Sequence, residues 1–113
     1  MRKRVYIAGP LTVGGIANNV ARAGDAFHAL LRAGLAPLCP HWLVYAGGPT
    51  VTPSGTVYAV ADPLPTGTTH EDWMGADLPW VAVSEAVLRL PGESRGADLE
   101  EFEAVRLGIP VFR

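Results

Sequence analysis

The sequence predicts one doubly wound α/β domain, and three observations carry that prediction. Its 113 residues fit one hydrophobic core and leave no room for a second. Short apolar runs ended by Gly or Pro alternate with amphipathic stretches at helical spacing, the pattern of strands joined by crossover helices. Hydrophobic residues make up 49% of the chain and charged residues 18%, enough apolar surface to fill an interior between layers.

Val5-Tyr6-Ile7-Ala8, closed by Gly9-Pro10, reads as a buried strand and a sharp turn. Ile16, Val20, Phe27, Leu30 and Leu31 then recur at helical spacing up to about Ala33, and Gly34 stops that helix. Leu35 to Cys39, closed by Pro40, supplies a second strand and completes a βαβ unit. Residues 42–69 are rich in Gly, Pro and Thr and form a variable loop or insertion. Within them Val51-Thr52 and Thr56 to Val60 have the pattern of a small hairpin.

A second helix is expected from His70, capped by Thr69 with Asp72 close behind. Trp73, Asp77, Trp80 and Ser84 share one face of it, and Pro79 should kink or split it. Ala86 to Leu90 is a third strand, and a third helix is expected from about Ala97 to Leu107. Gly108 ends that helix before Ile109 to Phe112, the last strand. The elements together predict a Rossmann/flavodoxin-like parallel sheet of four to five strands flanked by helices.

Composition narrows the partners. Nine Lys+Arg against eleven Asp+Glu give a net charge of -2, which does not favour nucleic-acid backbones or anionic membrane surfaces. The run Arg2-Lys3-Arg4 is short and reads as a solvated strand entry. One cysteine, Cys39, rules out an internal disulfide. No apolar stretch is long enough for a bilayer and no signal-peptide core opens the sequence, so a cytoplasmic protein is expected.

In a doubly wound sheet the ligand sits beyond the carboxyl ends of the strands, where strand order reverses. With an order of 2-1-3-4, that point lies between the first and third strands. The loops Gly9-Pro10-Leu11-Thr12 and Pro91 to Gly96 meet there. A glycine turn opening a helix presents free backbone N–H groups to a phosphate or sugar hydroxyl, and Ser94 adds a donor. Glu100 falls in the first turn of the expected helix, either as a nucleophilic carboxylate or as an acid that complements the helix dipole. Asp77 is either a carboxyl with a raised pKa among tryptophans or a solvent-facing helix residue.

Tyr6-Ile7-Ala8-Gly9-Pro10, Asn18-Asn19, Pro40-His41, Trp73, Asp77-Leu78-x-Trp80 and Ser94-x-Gly96-x-x-x-Glu100, ending in Gly108-Ile109-Pro110-Val111, follow one another in order. That order resembles the nucleoside 2-deoxyribosyltransferase superfamily, which includes 2'-deoxynucleoside 5'-phosphate N-hydrolases and small phage relatives. It spans nearly the whole chain except residues 42–69. The resemblance implies a single domain over residues 1–113 with Glu100 as nucleophile. It implies that Asp77 holds substrate and handles the proton of the leaving base. Serine at position 94, as in the nucleotide hydrolases, tilts the expectation toward a 5'-phosphate. Two positions depart from the pattern: Pro79 lies inside the D-L-x-W segment, and Asp98 stands where the hydrolases carry a second glycine.

The expected activity is therefore cleavage or exchange of the N-glycosidic bond of a (deoxy)nucleoside or its 5'-monophosphate. The alternative is a non-catalytic nucleotide-binding or sensing module on the same fold. Tyr6, Gly9, Pro10, Leu11, His41, Ser94 and Gly96 are the expected substrate-binding residues, with His41 also open to a purely structural hydrogen bond. Trp42, Tyr45 and Tyr58 can stack on a base or pack internally. No metal or organic cofactor is expected, since Cys39, His41 and His70 lack zinc spacing. A homodimer or larger homo-oligomer is expected, with Trp73 and Trp80 as the candidate contact.

Overall fold

A computed structural model describes residues 1–41, 50–51, 57–58 and 69–113. Four parallel strands form the main sheet: β1 (Arg4–Ala8), β2 (Ala36–Leu38), β5 (Ala86–Arg89) and β6 (Val111–Phe112), in the order β2-β1-β5-β6. Three helices accompany it: α1 (Ile16–Arg32), α2 (His70–Ala82) and α3 (Arg95–Arg106). A separate antiparallel pair, β3 (Thr50–Val51) with β4 (Val57–Tyr58), sits where the small hairpin is expected. The remainder of that hairpin, together with Trp42, Tyr45 and the side chain of Tyr58, lies outside the described residues.

The two faces of β1 explain the layering. Tyr6 and Ala8 point to one side and pack with Val87, with Val81 of α2 and with Ala97 and Ala104 of α3. Ile7 points to the other side and packs with Ala23 of α1 and with Cys39. Helices therefore cover both faces, and central strands buried on both sides are apolar throughout, as β1 is at Val5 to Ala8. Ile7, Val81 and Val87 have no exposed surface, and each contributes roughly 2 kcal/mol by burial. The edge position of β2 also accommodates Pro37, whose missing N–H has no ladder partner to serve on the outer side.

Several boundaries have visible causes. The side chain of Thr69 accepts from the N–H of Asp72 and the Asp72 carboxylate accepts from the N–H of Thr69, a complete capping box for α2. Gly34 and Gly108, at φ of 85° and 75°, follow the ends of α1 and α3. Gly92 has φ of 118°, and a Cβ there would come within 2.9 Å of Pro10 Cγ, so only glycine lets the two switch-point loops approach this closely.

Three expectations are corrected. Pro79 does not split α2, which runs unbroken to Ala82. The carbonyl that its ring faces belongs to Gly75, which has open space around its Cα, while the capping box and buried Val81 hold the two ends of the helix. Leu31 is exposed, and buried Asn19 takes a place on the inner face of α1. The third helix begins at Arg95, because Ser94 serves as its N-cap, so Glu100 lies in its second turn. Among the described residues no helix is long and apolar enough to cross a membrane.

Candidate functional site

The reversal of strand order between β1 and β5 opens a cavity of about 530 Å³ at the carboxyl ends of the strands. Its volume is in the range of small-molecule sites. The β1–α1 loop forms one wall through Gly9, Leu11 and Thr12. That loop is held from below by Asn19, whose Nδ2 donates to Leu11 O at 2.9 Å and to Val13 O at 2.8 Å. Pro10 differs from the expectation of direct contact: it is buried outside the cavity lining and supports the loops.

His41 lines the same cavity with 6% of its surface exposed. Its Nε2 lies 3.1 Å from Pro10 O, and a carbonyl only accepts, so Nε2 carries the proton. Nδ1 is then an acceptor, and it is buried without a hydrogen-bond partner among the described residues. Burial lowers the pKa of this ring, and the bond to Pro10 opposes that shift. His41 is therefore a neutral group that ties the exit of β2 to the loop after β1.

The chemical centre lies between the sheet and the helix pair. Glu100 enters from α3 with 7% of its surface exposed, on the same helical face as buried Ala97 and Ala104. The hydroxyl of Tyr6, whose residue has no exposed surface, donates to Glu100 Oε2. Asp77 of α2 reaches the same hydroxyl. Tyr6 is expected to touch substrate, but it lies beneath the cavity, where its hydroxyl donates to Glu100 beside Asp77.

Burial sets the protonation of this group. It pushes Glu100 up to about 8; the Tyr6 hydrogen bond opposes the shift, the Asp77 charge adds to it and the Arg89 charge opposes it. Burial likewise pushes Asp77 up to about 6, against the hydrogen bond from Tyr6. The phenol is raised far above its usual value, by burial first and then by the two carboxylates, so it remains a donor. These values belong to the pair, which holds one proton between about 6 and 8. Glu100 is therefore not an acid placed to complement the helix dipole: it lies beyond the first turn, and burial governs its protonation.

The mouth is built by the starts of α2 and α3. Ser94 Oγ accepts from Ala97 N at 3.1 Å, which leaves the hydroxyl proton free to donate into the cavity that Ser94 lines. A Cβ on Gly96 would sit 3.5 Å from His70 Cε1 and 3.6 Å from Met74 Sδ, so the two helix starts pack in close contact. Asp98 does not crowd this turn: its carboxylate turns to Arg89, 2.9 Å away. Trp73 lines the cavity beside Asp77, whereas Trp80 points outward with 58% of its surface exposed.

Glu100, Asp77, Gly9, Leu11, His41, Ser94 and Gly96 thus converge on one cavity. Sequence reasoning placed Asn19 in the ordered motif without a role, and missed His70 and Arg89 as parts of this construction. Asn19 offered a signal, a polar residue at an inward helical position; Arg89 ends an apolar strand and offered one as well. No family model matches the chain, and a search of curated proteins returned no match.

The raised carboxyls have a consequence for stability. In the unfolded chain Glu100 loses its proton near 4.5, and in the folded chain near 8. The folded state therefore binds more protons in that window, so stability falls as pH rises from about 4.5 to 8. Replacing Glu100 by Gln, which stays neutral and can still accept from Tyr6, should flatten that fall. Urea unfolding at pH 5 and pH 8 checks it: the variant should gain stability over the parent at pH 8 and show little difference at pH 5.

Proposed function

We propose that this chain cleaves or exchanges the N-glycosidic bond of a (deoxy)nucleoside or its 5'-monophosphate through a covalent glycosyl-Glu100 intermediate. The observation that carries this reading is the pair of carboxyl groups, Glu100 and Asp77, joined by one buried phenol at the floor of a nucleoside-sized cavity. Such a pair holds one proton near neutral pH, so one member can attack while the other acts as acid. The ordered motifs that resemble the deoxyribosyltransferase superfamily support the same assignment.

In the first step Glu100 attacks C1', the C1'–N bond breaks, and its electron pair leaves with the base, which takes a proton from Asp77. In the second step water, or the nitrogen of another base, attacks C1' and releases Glu100 while Asp77 accepts a proton. Two displacements at C1' retain its configuration. Attack needs Glu100 as the anion, and the positive charge developing on the sugar favours that tautomer of the pair. Tyr6 steadies the anion by donating to it. Among the described residues, Ser94 and the backbone N–H groups at the start of α3, which line the cavity, suit a 5'-phosphate.

The surface supports a homodimer or larger homo-oligomer. Trp80 and Val83 at the end of α2, and Phe102 and Val105 on α3, are 58%, 46%, 68% and 65% exposed, a large apolar display for a domain this small. Trp80, and not the cavity-lining Trp73, is the contact residue in this reading.

A panel of nucleosides and 5'-monophosphates, assayed by product analysis, should show base release whose kcat/KM forms a bell with limbs near 6 and 8. Glu100→Ala should abolish it while far-ultraviolet circular dichroism stays unchanged; wild-type rates in that variant would exclude the mechanism. Ligand binding without any base release would assign the chain to the nucleotide-binding alternative.

Ser94→Asp keeps a good N-cap but places a carboxylate at the proposed phosphate position. It should weaken 5'-monophosphates at least tenfold more than the matching nucleosides, by on the order of 1.4 kcal/mol or above. Equal loss for both classes would remove Ser94 from the 5' end.

Light scattering at micromolar concentration should give a mass above that of one chain, and Trp80→Glu should reduce it without unfolding. A monomer in the parent protein rules the assembly out.

A further inference from the structure

One buried charged residue near the cavity neither lines it nor enters the chemistry above. Arg89 closes β5 with 7% of its surface exposed. Its NH1 donates to Leu90 O at 3.2 Å, and its NH2 donates to Gly92 O at 3.0 Å. The same NH2 meets Asp98 Oδ1 at 2.9 Å, and Nε lies 3.5 Å from Glu101 Oε2. One planar guanidinium therefore grips the loop that carries Glu93 and Ser94 and, two residues and one residue from Glu100, the helix that carries the carboxylate.

We propose that Arg89 is the positioning residue of the site, setting the Ser94 loop and the Glu100 helix in one fixed register and supplying the cation behind Glu100. The inference rests on the reading of Glu100 as nucleophile and adds the group that orients it. The fork geometry matters because a lysine point charge cannot serve two carbonyls and two carboxylates at once. A cation buried this deeply is retained only with such partners. Asp98, where the resembling hydrolases carry glycine, then has a purpose: it is half of the clamp.

Among the described residues, the charged groups facing Glu100 are Asp77 from α2 and Arg89 from β5, with the Tyr6 hydroxyl from β1. Those facing Arg89 are Asp98 and Glu101, and Glu101 is also held by Arg113 from the end of the chain. Arg22 of α1 reaches the same loop at Pro91 O, 3.5 Å away.

The test is a carbon-13 carboxyl titration of the full chain labelled at glutamate, with Glu100 assigned through Glu100→Gln. Arg89→Met should raise the Glu100 midpoint, and Arg89→Lys should move it less. Asp98→Asn should lower it, because the cation then acts with one less counter-charge. Opposite signs for Arg89→Met and Asp98→Asn are the signature that simple loosening of the fold does not produce. In base release from a nucleoside without the 5'-phosphate, Arg89→Met should lower kcat roughly 10- to 100-fold with KM changed less than about threefold, as displacement of a reacting group does. An unchanged midpoint in Arg89→Met, or shifts of the same sign in both variants, overturns the proposal. Should Arg89→Met fail to fold, Asp98→Asn, whose side chain is 67% exposed, decides by the sign of its shift. The titration needs no turnover, so it stands apart from whether the chain is a glycosidase.

Discussion

A carboxyl group carried into a nearly closed interior has to find a hydrogen-bond donor or keep its proton, and Glu100 does both at Tyr6. That contact joins the central strand to the last helix, 94 positions apart in the chain. It goes with α3 starting at Arg95 under the Ser94 N-cap, which puts Glu100 on the inner face with Ala97 and Ala104. It requires the Gly92 approach to Pro10, which brings the two loops together above it. Asp77 then completes the group from α2, whose start packs on Gly96. The cavity is the space these constraints leave open.

Such a centre opposes folding. Two carboxyls raised above their ordinary values bind protons in the folded state that they release when unfolded. The surrounding structure offsets this with apolar packing on both faces of β1. A domain of 113 residues has little surplus stability to give. The presence of buried Glu100 and Arg89, with half-buried Asp77, in so small a core favours a use for them beyond packing.

The layering was legible in the sequence because it rests on apolar periodicity and on glycine and proline stops, whereas the strand order entered as a condition that the sheet meets. Ile16 to Gly34 and the final Gly108 marked their helices to within a residue or two. The convergence of Gly9, Ser94 and Glu100 followed from topology alone. What was not legible depends on which partner a polar side chain selects. Ser94 was read as a ligand donor, and its role as N-cap moved the start of α3 by two residues and Glu100 by a turn's depth. Tyr6 was read as substrate contact, yet strand alternation turns it inward to the two carboxyls. Asp98 stands out in the sequence only as a departure from the resembling pattern, because Arg89, nine residues earlier, is its partner only in three dimensions.

The proposed covalent role of Glu100 is most directly tested with a 2'-fluoro analogue of a nucleotide that the chain cleaves, whose fluorine slows release of the sugar from the protein. After rapid acid quench, peptide mass spectrometry should find the sugar phosphate on the peptide containing Glu100, with one base released per chain and no adduct in Glu100→Gln. Release of the base with that peptide unmodified at every time point would contradict the double displacement.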